Sequence, residues 1–225
     1  MLGVVRLDLL MPDVATMVNL ARTNHGFFLE AWWSTFVVSA AASVTALFFS
    51  LAMAVLTLRF AVADFALGPV VAISQSFPLQ AIAPLVVIVL GGGFQTKLAV
   101  AFIIAFFPIF NACRGALRMT PRSLLALSAT CDAGFLRETL FIRLPDALPA
   151  VAAAAKVGFT LAVLGAVVAE FISPESGLGR ILLVAQANYN VEVIYLAVAC
   201  LVTQGLAVYG GLSAIESYLL KRRGQ

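Results

Sequence analysis

Histidine occurs once in the 225 residues, cysteine three times, and charged side chains make up only 11% of the chain. A single imidazole, His25, supports neither a metal cluster nor a relay of histidines. Cys113, Cys131 and Cys200 are odd in number and without CxxC spacing, so they read as buried thiols rather than a disulfide framework or metal site. No Gly-x-x-x-x-Gly-Lys-Ser/Thr run exists; Gly91-Gly92-Gly93-Phe94-Gln95-Thr96-Lys97 lacks the spacing of a phosphate cradle. The first thirty residues have no continuous apolar run and no small-residue cleavage site, and do not form a signal peptide. A net charge of +3 does not point to nucleic acid. The sequence therefore predicts no catalytic constellation, no metal and no cofactor bound by this chain.

Apolar residues, in contrast, make up 62% of the chain, with a mean hydropathy of +1.04, against roughly 45–50% in a soluble domain. They come in stretches near or above the ~20 residues that cross a bilayer, so the surplus faces lipid. The reading is an all-α polytopic membrane protein with about five transmembrane helices. The spans expected are Trp32 to Leu58, Phe65 to Leu90, Leu98 to Ala112, Ala150 to Ile172 and Val191 to Ser213. Residues 1–31 form a surface arm, 32–215 the transmembrane domain and 216–225 a basic tail. Pro69, Pro78 and Pro84, with Ser74-Gln75-Ser76, interrupt the second span, and broken helix at membrane depth is tolerated where it is buried or lines a cavity. A proline-kinked, packed helix is the alternative.

Lys and Arg gather on one side, as expected of a cytoplasmic face. Arg59, Arg114, Arg118, Arg122, Arg137, Arg143, Lys221, Arg222 and Arg223 fall there, against Arg6, Arg22, Lys97 and Arg180 on the other. This puts the C-terminus inside and the N-terminus outside. The connection 114–147 is too patterned for a plain loop. Thr120-Pro121 reads as a helix start, Asp132-Ala133-Gly134 as a turn, and Phe135 to Arg143 as a second short helix stopped by Leu144-Pro145.

Here the chain resembles the membrane subunit of bacterial ABC importers, whose cytoplasmic loop reads EAA, three residues, Gly, nine residues, Ile, one residue, Leu-Pro. Ile142, Leu144 and Pro145 stand in the matching places. The Glu falls on Ala126, the second Ala on Ser128 and the Gly on Asp132, with Gly134 offering the turn two residues later. The likeness is closest to the nitrate, sulfonate and taurine branch, which includes carriers of pyrimidine vitamin precursors. Leu10-Met11-Pro12-Asp13, Pro84-Leu85 with Gly91 to Lys97, Lys156, Ala169-Glu170, Ser176-Gly177-Leu178-Gly179 and Ala185-Gln186 all resemble that branch. Members generally carry a further apolar helix ahead of the Pro12 position.

The resemblance implies the five-span core of a type I importer permease with two short cytoplasmic coupling helices, in the bacterial inner membrane. It implies as partners an ABC ATPase dimer holding ATP and Mg, a second permease copy or a related permease, and an extracytoplasmic solute-binding protein, besides membrane lipid. Contact with the ATPase then falls on Arg122, Ser128, Thr130, Asp132, Ala133, Gly134, Arg137, Ile142, Leu144 and Pro145. The path or gate falls on Ser74, Gln75, Ser76, Lys156, Thr160, Glu170 and Gln186, because polar groups inside spans are functional candidates. Blander readings stand beside these: Lys156 snorkels to the basic side, Glu170 is solvated at an interface, and hydroxyls bond their own backbone. Gln204 is a further pore candidate, and Gly205, Gly210 and Gly211 are close-packing points. A stand-alone secondary transporter, a membrane-embedded enzyme and an assembly protein are the rival readings, though no intramembrane acidic pair, histidine cluster or inverted repeat is visible.

Overall fold

The computed structural model describes residues 13–76 and 78–222, with helix as the only regular structure among them. The Leu10 to Pro12 part of the entry motif and Arg223 therefore lie outside the described residues. In chain order the helices are α1 (Val14–Thr23), α2 (His25–Arg59), α3 (Ala61–Ser76), α4 (Ala83–Leu90), α5 (Phe94–Arg118), α6 (Arg122–Thr130), α7 (Phe135–Glu138), α8 (Leu144–Ile172), α9 (Leu178–Ala187) and α10 (Val191–Arg222). A 3-10 turn, Leu79–Ile82, precedes α4, and a π-helical turn, Thr139–Arg143, joins α7 to α8.

Among the described residues, four helices are long and apolar enough to cross a bilayer: His25–Arg59, Phe94–Arg118, Phe135–Ile172 and Val191–Ala214. The expected second crossing is indeed broken, into α3, the 3-10 turn and α4, and neither helix is long enough alone. The first span starts earlier than Trp32, at His25, so part of the expected surface arm is helix continuous with the span. Asp13 opens α1, its carboxylate accepting from the Ala15 N–H at 3.1 Å and the Thr16 hydroxyl at 2.6 Å.

The core is the triangle of α2, α5 and α8. Its α2 face is a stripe of small residues, Thr35, Ser39, Ala42, Ala46, Ser50, Ala54 and Thr57, all buried. Small side chains at helical spacing let backbones approach closely, where van der Waals contact rather than hydrophobic exclusion holds membrane helices together. At the α5–α8 crossing a Cβ on Gly165 would stand 2.6 Å from the Ala101 Cα. Ser50 adds a hydrogen bond across helices, donating to the Phe106 carbonyl at 3.0 Å. The close packing expected at Gly205, Gly210 and Gly211 is not made within the chain, since a Cβ there meets nothing within 4 Å.

Three expectations for 114–147 need correction. Arg114 and Arg118 belong to α5, which runs on past the expected end at Ala112. Thr120 does not cap α6; its buried hydroxyl donates back to the Leu117 carbonyl at 3.3 Å and closes α5, while Pro121 holds the position before α6. Leu144-Pro145 does not stop a helix either. Pro145 is the second residue of α8, directly after the π-helical turn Thr139–Arg143, a local change of hydrogen-bond register rather than an end of the helix. Helix is thus continuous from Phe135 to Ile172.

Candidate functional site

Polar chemistry collects at the two ends of the bundle. The basic end holds Arg59, Arg114, Arg118 and Arg143; the opposite end is marked by Trp32 and Trp33.

At the basic end the segment after α5 is braced from within. Glu138 accepts from Arg143 Nε at 2.7 Å and from the Ser128 hydroxyl at 3.2 Å, and Arg143 Nη1 donates to the Leu117 carbonyl at 3.2 Å. One carboxylate therefore ties α6, α7 and the end of α5 together. Asp64, in the first turn of α3, takes Arg114 Nε at 2.8 Å and both Arg114 Nη2 and Arg118 Nη2 at 2.5 Å. The turn between α6 and α7 is a Schellman motif: Asp132 N–H donates to the Ala129 carbonyl at 3.2 Å and Ala133 N–H to the Ser128 carbonyl at 3.1 Å. Asp132 itself takes the left-handed conformation, φ 48°, whereas Gly134, expected to supply the turn, is extended at φ −64°.

The outward face of this segment is apolar. Leu127, Leu136, Leu140 and Phe141 are all more than half exposed. Arg122, Thr130, Asp132, Gly134 and Arg137 are exposed beside them, and Ala133, Ile142, Leu144 and Pro145 are half-buried. Ser128 is buried, so it frames the segment rather than facing a partner.

At the opposite end Glu170 is fully buried rather than solvated. Its carboxylate accepts from the Thr35 hydroxyl at 3.0 Å and the Gly179 N–H at 2.7 Å, while Thr35 Oγ1 accepts the Leu178 N–H at 2.8 Å. Two residues from other helices thus satisfy the first N–H groups of α9, at the end where a helix dipole favours negative charge. A Cβ on Gly177, φ 106°, would collide with this carboxylate, and one on Gly179 would stand 2.8 Å from the Glu170 Cβ. The Ser-Gly-Leu-Gly run is therefore the lid over Glu170. Lys97, also buried, donates to the Ser176 carbonyl at 2.9 Å and hydroxyl at 3.0 Å, and Ser176 meets Ser34 at 2.9 Å. Sequence reasoning missed Thr35, Lys97 and Ser176 as partners; the lone lysine entering an apolar helix after three glycines was the available signal.

The expected path residues do not converge. Lys156 and Thr160 share one face of α8 with the exposed Val157 and Leu164. Lys156 is half-buried, its Nζ 5.1 Å from the Tyr209 ring centre on α10, and Thr160 donates to the Lys156 carbonyl at 3.2 Å. Ser74 donates to the Val71 carbonyl of its own helix at 2.8 Å. Gln186 is exposed on α9. The side chains of Gln75 and Ser76 lie outside the described residues. Gln204 does not face a pore; it is buried, with Nε2 on the Trp32 carbonyl at 2.6 Å.

Comparison with known proteins gives this architecture a place. Residues 46–217 match the family described as the binding-protein-dependent transport system inner membrane component. The chain belongs to that family, the membrane permeases of type I ABC importers. It is 38% identical over 141 residues to a Haemophilus influenzae protein named as a probable ABC transporter permease, a match covering 63% of this chain and 58% of that one. A riboflavin transport system permease of Chloroflexus aurantiacus is 33% identical over 156 residues, 69% of this chain and 58% of the relative. A formylaminopyrimidine transport permease of Halalkalibacterium halodurans is 29% identical, over 70% of this chain and 63% of the relative. The chain thus spans under two thirds of the length of these curated relatives. Its fold is similar to that of a chain of the MetNI methionine ABC transporter in an inward-facing conformation, at TM-score 0.78 and 19% identity, covering 87% of this chain and 97% of that one.

Proposed function

We propose that the chain lines the translocation path of an ATP-driven importer and carries no ATP chemistry itself. The observation that carries this reading is the apolar outward face of 122–141 on an internally braced frame, within a chain of the permease family. In this reading Leu127, Leu140 and Phe141 seat in a cytoplasmic ATPase dimer that holds ATP and Mg, with Arg122, Thr130 and Asp132 around them. The basic end is cytoplasmic, in keeping with the bias of Lys and Arg, and the tryptophan end is extracytoplasmic, where a solute-binding protein delivers cargo. The exposed face of α8 bearing Lys156 and Thr160 lines the path against a second permease, identical or related, and Ser74 and Gln186 lie nearer its ends.

Among sulfonates, nitrate, taurine and pyrimidine or other vitamin precursors, the heteroaromatic precursors are favoured. The riboflavin and formylaminopyrimidine relatives are more similar to this chain than the sulfonate and taurine ones, which are 23–25% identical. A cation stacked on an aromatic ring, as at Lys156 and Tyr209, also suits a flat, electron-rich solute.

The test is purification of the tagged chain from a mild detergent, identification of co-purifying proteins and an ATPase assay on the eluate. Recovery of a stoichiometric ATPase that is lost in Leu127→Glu and Leu140→Glu supports the reading. Recovery of the chain alone, folded and without ATPase, overturns it in favour of a stand-alone transporter.

A further inference from the structure

The arginines of the basic end divide into two sets. Arg114, Arg118 and Arg143 are paired with Asp64 or Glu138. Arg59 and Arg137 pair with no carboxylate among the described residues, and both line one open groove of about 620 Å³. The remaining walls are apolar: Ala52, Val55 and Leu56 of α2, with Phe60, Phe135 and Leu136. Arg59 is held in place there, its guanidinium carbon 5.8 Å from the Phe60 ring centre and 5.5 Å from that of Phe135.

Depth identifies the occupant. Arg59 follows Trp33 by 26 residues in the same helix, α2, about 39 Å at about 1.5 Å per residue. A bilayer is roughly 30 Å thick in its hydrocarbon core and 40–45 Å with both headgroup regions, and tryptophan marks one of those regions. The groove therefore opens at the other headgroup level. Val62 and Phe65, which follow it on α3, are 81% and 84% exposed, as side chains facing acyl chains are. A free phosphate matches the guanidiniums but not the apolar wall; an acyl chain alone matches the wall but not the cations.

We infer that this groove is a binding site for one anionic phospholipid, its phosphate between Arg59 and Arg137 and an acyl chain along Ala52, Val55 and Leu56. The site would hold the base of α2 against the Gly134–Arg137 corner through a lipid rather than a protein contact. Basic pockets between membrane helices bind anionic headgroups by this combination of charge and apolar wall.

The test is native mass spectrometry of the full chain, with whatever subunits accompany it, released from nanodiscs of phosphatidylcholine containing one-fifth phosphatidylglycerol. The expected result is one retained phosphatidylglycerol per chain. Retention falls about fivefold in Arg59→Gln, the equivalent of about 1 kcal/mol per basic side chain at an anionic surface. It falls also in Ala52→Trp, which fills the wall without touching charge, and not in Arg22→Gln at the other end. An excess of inorganic phosphate leaves retention unchanged, because the acyl chain contributes to binding. Equal retention in wild type, Arg59→Gln and Ala52→Trp overturns the site, as does displacement of the lipid by phosphate. Loss of the lipid whenever a protein subunit is bound also overturns it, by assigning the groove to that subunit. Circular dichroism of each variant separates loss of the site from loss of the fold.

Discussion

Glu170 and Thr35, 135 positions apart in sequence, meet at 3.0 Å where both are fully shielded from solvent. The pair is a helix cap assembled from a distance: carboxylate and hydroxyl together hold the Gly179 and Leu178 N–H groups of α9. Glu170→Ala leaves the buried Gly179 N–H without an acceptor, at about 1–3 kcal/mol, while the Thr35 hydroxyl keeps only the Ala31 carbonyl at 3.2 Å. The expected outcome is a lower midpoint of thermal unfolding in detergent, with Glu170→Gln between wild type and Ala. Gly179→Ala should be as damaging, because its methyl would meet Glu170 and the Val167 carbonyl. An Ala variant that melts with the wild type would show that the cap contributes nothing.

Two helices end on a residue that pays for its left-handed backbone. Asp132, φ 48°, ends α6 and Tyr189, φ 52°, ends α9, and both turns carry the paired Schellman bonds. Glycine adopts this conformation without the Cβ clash, which for other residues is roughly 1–2 kcal/mol, less for Asp. Asp132→Gly and Tyr189→Gly should therefore raise stability, the tyrosine change more, while Asp132→Val should lower it. Thermal unfolding of the three variants checks the order. A destabilised Asp132→Gly would mean that the carboxylate has a contact worth more than the strain.

That turn shows where sequence reading reached and where it stopped. The glycine position of the importer motif falls on Asp132, whereas residue type alone points to Gly134, because glycine is the usual left-handed residue. Spacing was the better guide than residue type. Apolar runs likewise located the long helices, since the bilayer imposes length, and the three prolines marked the broken crossing. Helix ends escaped: Leu144-Pro145 looks like a stop, but proline in a first turn is compatible with helix, and only the preceding π-turn reveals continuity. Distant partnerships escaped too. Nothing local to Lys97 says that it reaches Ser176, and nothing at Glu170 distinguishes a solvated carboxylate from a buried cap.

Asp13 gives a pH test outside the spans. Its carboxyl is held below the ordinary value of 3.8, chiefly by the Thr16 hydroxyl and then by the Ala15 N–H. A lowered acid means that the cap's contribution is complete above 3.8 and is lost as pH falls through the lower folded value. Carboxyl carbon NMR of the chain in micelles should find Asp13 titrating below that value, and Thr16→Val should move it back up. An Asp13 that titrates normally in the wild type would show that the cap is not formed.

Asp64 joins the base of the broken crossing to α5, and its two arginines are not equivalent. Arg114 offers both Nε and Nη2 and its side chain is 22% exposed, whereas Arg118 offers Nη2 alone and is 41% exposed. Exposed ion pairs contribute about 0–1 kcal/mol and are screened by salt, while two-point guanidinium contacts add geometry to charge. Double-mutant cycles of Asp64→Asn with Arg114→Gln and with Arg118→Gln should therefore give the larger coupling to Arg114. Raising salt to about 1 M, where the screening length is about 3 Å, should erase most of the Arg118 coupling and less of the Arg114 one. Because α3 is interrupted after Ser76 and cannot be held by length alone, Asp64→Asn should also speed amide exchange along α3 more than along α5. Equal couplings, or exchange that rises equally in both helices, would mean that Asp64 is a surface charge and that α3 is positioned by its apolar contacts.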